Sequence, residues 1–417
     1  MKGGFAAFAA TAFGSETWAE MIRHPLVGKT LPKWEKGHFR ISLLYTGRSE
    51  SSFLVLADGT SMLIDCGDYK FGGGSHALPY LPDDARSAGE YTARYVLREN
   101  PNGKSVDYFM LSHYHSDHAG RKSDSKGRSS RGEYELCGIG AAAELLDFGT
   151  VLDRSWPDMD DPAPRPDDFE NSSQIPHIRE VYRELERRGT KIEKFRLEKW
   201  AGQIRLRHGG SDLFAYTPLC SAGRILMRNG TVRDLGTEAM PRSKFNENML
   251  SVGLVISHGP FRYYTAGDFA GTVLQPDGKR FCIECELAKE VPEVDVAKAN
   301  HHACWTMNQK LAEALHARVV TIGCWHYLHA DRGAMRRMSA VKWPCLYVPG
   351  YFAKGRRDED AAEPWLKDVA PETYGGAHSV IDVSPDGKTY RLMIVDARDE
   401  KGTILGAHEF ETRNKDA

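Results

Sequence analysis

The feature that most limits what this chain can fold into is a short apolar run, Val106–Leu111, that stops at Ser112 and is followed at once by His113, His115, Asp117 and His118. Bounded and apolar, the run reads as a buried strand. An extended backbone puts His113 and His115, two residues apart, on one face. Asp117 and His118 follow where the strand gives way to a turn or helix start, and so address a second locus beside the first. Neutral imidazoles and a carboxylate are the donors on which zinc, iron and manganese sites draw. With 16 histidines among 417 residues, chance places such a string in roughly one random chain per thousand. The cluster is therefore read as a metal site.

A strand that delivers ligands at its end needs a sheet around it, and the chain supplies one on either side. Arg40–Tyr45 and Ser52–Leu56 read as strands, and a turn at Asp58-Gly59 leads into Ser61–Asp65. Gly89–Glu99 reads as a helix before the Val106–Leu111 strand, and Ile178–Arg188 has helical periodicity. Residues 156–170, rich in Pro and Asp, read as loop, and Ile204–Leu206 with Leu213–Tyr216 as a hairpin around His208. The β pattern returns at Met249–Ser257, Phe261–Thr265, Val294–Ala299 and Val319–Gly323, with a helix at Asn308–His316, and ends in the pair Ser379–Val383 and Thr389–Val395. Two β-rich halves with interleaved helices predict an α/β sandwich rather than a bundle or barrel.

Composition narrows the partners. The chain carries 55 basic and 57 acidic residues, a formal charge of −2, whereas nucleic-acid-coating domains carry a clear basic excess. Nucleic acid is therefore not indicated as a partner by net charge. No apolar run is long enough to span a bilayer, and no feature specifies an oligomer. Met1–Phe13 is a short apolar stretch behind one lysine, with Thr17-Trp18-Ala19 as a small-residue cleavage position, so residues 1–22 read as a remnant of an export signal. The alternative is a cytoplasmic protein with a buried or frayed N-terminal helix. Cys282 and Cys285 form an isolated CxxC with no second pair of metal ligands nearby, and read as structural, a disulfide if the protein is exported.

The string His113-Tyr114-His115-Ser116-Asp117-His118 resembles the HxHxDH signature of the metallo-β-lactamase-fold hydrolases. Further marks of that family fall in order. Asp65, closing an apolar strand, matches an aspartate that supports the ligand loop from behind. Asp268, in the run YYTAGD, matches the strand-end aspartate that bridges two metals, and His301-His302 matches the last ligand position. The runs beginning at Asn246, at Thr265 and at Ala297 are similar to the ComEC-like branch, whose relatives include a phosphorylcholine esterase. The resemblance implies a four-layer αββα sandwich over residues 38–417, and one or two zinc ions, or manganese or iron. The ligands it implies are His113, His115, Asp117, His118, Asp268 and His302. Many members carry a further histidine between the first motif and the bridging aspartate. Here only His177 and His208 fall in that interval, neither at a convincing strand end, so water or Asn248 would complete the site.

Of the adjacent pair, His302 is expected to ligate and His301 to face substrate as a phosphate contact or general acid, because neighbouring residues at a strand end point opposite ways. Lys298 either reaches an anionic substrate or is a surface lysine with a buried stem. The basic stretch Arg121, Lys122, Lys126, Arg128 and Arg131 either meets an anion or is a solvated mobile loop. Residues 325–329 read as packing or as an aromatic pocket rim.

The implied chemistry is hydrolysis by a metal-activated hydroxide, with Asp117 and Asp268 orienting it and His301 protonating the leaving group. A phosphodiester or other phosphate ester is the expected substrate. The alternatives are a carboxylic ester, lactone or β-lactam, an iron-dependent thiol oxygenase, and a non-catalytic binding protein.

Overall fold

Strands whose residues are apolar without interruption can only be buried on both faces, and they lie in the middle of each sheet here. The computed structural model describes residues 14–69, 78–163, 169–198, 202–237, 240–275 and 277–413. Among these, one nine-stranded sheet runs Ile404–Glu411, Thr389–Asp396, Ala377–Val383, Phe39–Leu43, Ser52–Val55, Ser61–Ile64, Ser105–Met110, Asp147–Asp153 and Lys191–Lys194. Its first six strands pair antiparallel, and from Ser61–Ile64 onwards the pairing is parallel. Parallel neighbours need a crossover. The helices Ala88–Glu99 and Phe169–Arg187 provide two of them. Ser87 caps the first, its hydroxyl accepting from Glu90 N at 3.1 Å, in a Ser-x-x-Glu pattern that marks a helix start.

An eight-stranded sheet runs Leu346–Pro349, Val319–Ile322, Val296–Lys298, Phe261–Thr265, Gly253–His258, Phe214–Ser221, Arg224–Leu226 and Val232–Asp234, with its first four strands parallel. The two sheets share a core: Ile41, Leu54, Ile64 and Met110 from one meet Leu254, Ile256, Tyr263 and Val296 from the other. Facing away from that core, Phe53, Leu63 and Phe109 pack with the helical residues Val96, Ile139 and Val181. On the other sheet Val255, Tyr264 and Ala297 pack with Leu311, Leu315 and Met335. The protein is thus mixed α/β, built on two large sheets. No helix among the described residues is long and apolar enough to cross a membrane.

This arrangement brings together the carboxyl ends of interior strands of the two sheets. Ser61–Ile64 ends at Asp65 and Ser105–Met110 ends just before Ser112, while Phe261–Thr265 and Val296–Lys298 end before Asp268 and His301. Val252 N donates to Ser112 O at 2.9 Å, tying the two sheets at those strand ends. The carboxyl ends of parallel strands are where open α/β sheets place their ligands.

Several expectations are corrected. Met249–Ser257 is not one strand: Glu247–Leu250 is a 3-10 turn capped by Asn246, and the strand is Gly253–His258. Residues 204–206 form no strand, and Phe214–Ser221 pairs with Gly253–His258 instead. The helix expected from Ile178 begins at Phe169, and Ile404–Glu411 is an additional strand. Met1–Phe13 lies outside the described residues. Residues 14–21 form a helix that buries Trp18 and Met21 in the shared core, with Trp18 edge-on to Tyr374.

Candidate metal centre

The centre begins with Asp65. Its backbone is left-handed, φ 58°, as the chain turns out of the strand. Asp65 Oδ1 accepts from Ser112 N and Oδ2 from Ser112 Oγ, both at 2.7 Å, and Oδ2 lies 2.8 Å from His118 Nδ1. A carboxylate on Nδ1 fixes the tautomer and turns the other ring nitrogen outward as a donor. His118 Nε2 accordingly faces Asp268 Oδ1 at 3.2 Å and Asp117 Oδ2 at 3.5 Å. The short helix Ser116–Ala119 that carries Asp117 and His118 is pinned by its backbone. Glu50 N donates to Asp117 O, Cys66 N to His118 O and Asp68 N to Ser116 O. A Cβ on Gly67 would stand 1.7 Å from Asp117 O, so this contact requires glycine.

The strand end between the first two histidines is held from the opposite side. Glu247 Oε1 accepts from Tyr114 N at 3.0 Å and from Arg154 Nε at 2.6 Å, and Oε2 accepts from the same guanidinium at 2.8 Å. Both side chains of this ion pair are fully buried. The Arg154 guanidinium also lies over the Tyr114 ring, 4.2 Å from its centroid, and Tyr114 Oη donates to Asp153 Oδ1 at 2.6 Å. The residue between His113 and His115 is thereby fixed at backbone, ring and hydroxyl.

The other sheet contributes Asp268 and His302. His302 Nε2 is 2.8 Å from Asp117 Oδ2 and 3.3 Å from Asp268 Oδ2, and its Nδ1 is 3.0 Å from Gly323 O and 3.1 Å from Glu50 Oε2. His113 Nε2 is 3.9 Å from the same Asp268 oxygen. Two groups of donor atoms result, His113 with His115 and Asp268, and Glu50 with His118, Asp268 and His302, and Asp268 belongs to both. His113 Nε2, His118 Nε2 and Asp268 Oδ1 are buried yet make no hydrogen bond among the described residues. Buried polar atoms are normally paired, so such atoms call for a ligand.

Charge in the centre is lopsided. Burial pushes the His113 imidazole well below its usual range, keeping it neutral. His118 and His302 are buried too, but Asp268, Asp117 and their neighbouring carboxylates outweigh that cost and hold both rings well above the usual range. Asp268 is in turn held well down, against its own burial, by His118 and His302.

The sequence-predicted residues divide as follows. Asp65, His113, His115, Asp117, His118, Asp268 and His302 converge. His301 sits at the margin, with 22% of its side chain exposed, Nε2 4.0 Å from Asp268 Oδ2 and 3.3 Å from Asn248 Nδ2. The pair does not part by strand alternation, since both residues have positive φ, 44° and 53°, in a turn after the strand. His177 is buried in the helix Phe169–Arg187, 3.2 Å from Cys137 Sγ. His208 contacts Asp107 near the start of the strand Ser105–Met110, the end away from His113. Lys298 is neither a surface lysine nor free to reach substrate. It is 1% exposed, donates to Gly267 O at 2.6 Å and pairs with Glu50.

The basic stretch is tied down: Arg121 pairs with Asp124, Lys122 with Glu180, Arg128 with Glu133 and Arg131 with Asp147. Residues 325–329 reach the centre, as Trp325 Nε1 donates to Asp117 Oδ2 at 2.7 Å and His329 stacks on His302 with centroids 4.5 Å apart. Cys282 and Cys285 are joined in a disulfide.

Sequence reasoning missed Glu50, a lone acid in the loop after Phe39–Leu43, because no spacing links it to His302 or Lys298. It passed over Glu247 although the flanking Asn246 and Asn248 had drawn notice. Compared with known proteins, the chain matches no family model and no curated protein.

Proposed function

We propose that the chain is a metal-dependent hydrolase of four-layer αββα, metallo-β-lactamase-like build, acting on a phosphodiester or other phosphate ester. The observation that carries this reading is the pair of donor groups sharing Asp268, three of whose buried atoms make no well-formed hydrogen bond among the described residues. The donors fit zinc, with manganese or iron as alternatives: imidazole nitrogens with carboxylate oxygens suit all three. His113, His115 and Asp268 would hold one ion, and Asp117, His118, Asp268 and His302 a second. Glu50 meets His302 on Nδ1, the nitrogen away from Asp117, and so orients that ring rather than ligating.

Such an ion, when bound, polarises the ester oxygen and acidifies water to near neutrality. The protein's own groups do the rest. Asp117 and Asp268 orient the attacking water. His301, at the exposed margin, contacts an oxygen of the substrate or its leaving group. Trp325 closes the inner wall beside Asp117 and excludes water from that side. With His118 and His302 protonated beside Lys298, the carboxylates Asp65, Asp117, Asp268 and Glu50 are nearly balanced in the metal-free centre. Two divalent ions taking the place of those two protons would leave it net positive, which suits an anionic ester.

The test is a panel of bis-p-nitrophenyl phosphate, a lactone and a chromogenic cephalosporin with zinc- and manganese-loaded protein. Phosphodiester turnover lost in Asp117→Ala, with the circular dichroism of the fold retained, supports the reading. Turnover of the acyl substrates alone rejects the phosphoester assignment, and undiminished activity of Asp117→Ala rejects the centre.

A further inference from the structure

The turn that presents His301 and His302 is held by a carboxylate that neither ligates nor faces substrate. Residues 300–308 leave the strand Val296–Lys298 through an unusual path, with positive φ at His301, His302, Ala303, Trp305 and Met307. Left-handed conformations in non-glycine residues cost about 1 kcal/mol or more each and persist only where the surroundings over-determine them. Asp331 holds the middle of this turn, accepting from Trp305 N and donating from its own N to Ala303 O, and Glu284 holds its two ends. It is 0% exposed, and its Oε1 accepts from Asn300 Nδ2 at 2.8 Å and from Met307 N at 3.0 Å. Its Oε2 accepts from Asn308 N at 2.7 Å. One carboxylate therefore pins both ends of the loop, while Asn300 Oδ1 accepts from Tyr264 Oη at 3.0 Å and Thr306 Oγ1 donates to Asn300 O at 2.7 Å.

Glu284 is placed in turn by a covalent bracket. The disulfide joins Cys282, the last residue of the strand Arg280–Cys282, to Cys285 in the first turn of the helix Ile283–Leu287, and Glu284 lies between them. Cys282 Sγ also accepts from Cys285 N at 3.1 Å, and Glu284 N donates to Gly271 O at 3.3 Å.

We infer that Glu284, held in its turn by the Cys282–Cys285 disulfide, is a positioning residue that keeps the His301–His302 loop in the shape the metal centre needs. This rests on the metal-centre reading above for its consequence, though the clamp itself can be measured without any metal. Glu284→Gln keeps the size of the side chain but turns an amide N–H₂ towards Asn308 N, or towards Asn300 and Met307, so at least one accepted bond becomes a donor–donor contact. Cys282→Ser/Cys285→Ser removes the bracket and leaves the carboxylate.

The experiment combines hydrogen exchange of the peptide covering residues 299–309 in chelator-treated protein with zinc titration of the same samples, circular dichroism confirming the fold. In Glu284→Gln that peptide is expected to exchange at least tenfold faster, while the peptide covering residues 113–119 is unchanged. Zinc affinity at the site using His302 is expected to fall at least tenfold, and the zinc bound by His113 and His115 to be retained. The disulfide variant is expected to shift both readouts the same way by a smaller factor. Unchanged exchange at 299–309 in Glu284→Gln overturns the clamp whatever the zinc titration gives. A change in Glu284→Gln with none in the disulfide variant overturns the bracket's part. Wild-type protein that takes up no zinc overturns the metal-centre reading, and the exchange result still decides the clamp.

Discussion

Replacing Arg154 by Met should destabilise the metal-free protein by about 3–5 kcal/mol, because it leaves the fully buried Glu247 carboxylate without its counter-ion. Loss of the guanidinium from the face of Tyr114 adds about 0.5–2 kcal/mol at most. Against a typical total of about 5–15 kcal/mol this is a large fraction, and readily seen by urea unfolding. Arg154→Met/Glu247→Leu should recover most of the loss, since a buried ion pair replaced on both sides by apolar groups is often neutral. What remains is the unsatisfied Tyr114 N–H, about 1–3 kcal/mol.

The pH profile sharpens the test. Burial already pushes the Glu247 carboxyl above its usual range with Arg154 present, and removal of Arg154 pushes it further. A raised folded-state pKa gives stability that is complete below the unfolded value and lost as pH rises through the folded one. Arg154→Met should therefore approach wild type near pH 4 and show its full deficit at pH 8. Equal deficits at both pH values, or a double variant as unstable as the sum of the singles, would refute this account.

Zinc uptake should release protons, because His118 and His302 are both held well above the usual histidine range and must deprotonate to ligate. Their contribution to metal-free stability is complete below the unfolded histidine pKa and fades as pH rises through the raised folded values. Zinc affinity should correspondingly climb by up to about tenfold per pH unit for each proton displaced, read by calorimetry in buffers of different ionisation enthalpy. Gly67→Ala forces the backbone apart at Asp117 O and should cost about 1–3 kcal/mol or more, with zinc affinity falling in parallel. An unchanged melting temperature would show that the contact is slack.

The convergence of the candidate donors was legible where they sit at fixed spacing. His113, His115, Asp117 and His118 follow one strand within a few residues, and Asp65, Asp268 and His302 each come shortly after an apolar strand, a pattern that local periodicity exposes. The supporting carboxylates were not. Glu50, Glu247 and Glu284 act on residues far along the chain, and a single acid in a polar stretch carries no period. Lys298 was misjudged because a lysine is buried only when a partner is buried with it, and that partner, Glu50, is invisible from its neighbours. The additional strand Ile404–Glu411 and the 3-10 turn at Glu247–Leu250 were set by sheet pairing and capping, which outrank propensity.

The division of the donors between the two sheets has a consequence for how the molecule comes together. The histidine string arrives with one half of the chain, Asp268 and His302 with the other, and the two sheets are tied there by the bond between Ser112 and Val252. A cation gripped from both sides would be a staple closing a very long loop, and closing long loops removes the most freedom from an unfolded chain. Nascent or nicked chains lacking the second half could not retain it, so metal retention would report finished assembly and delay unfolding.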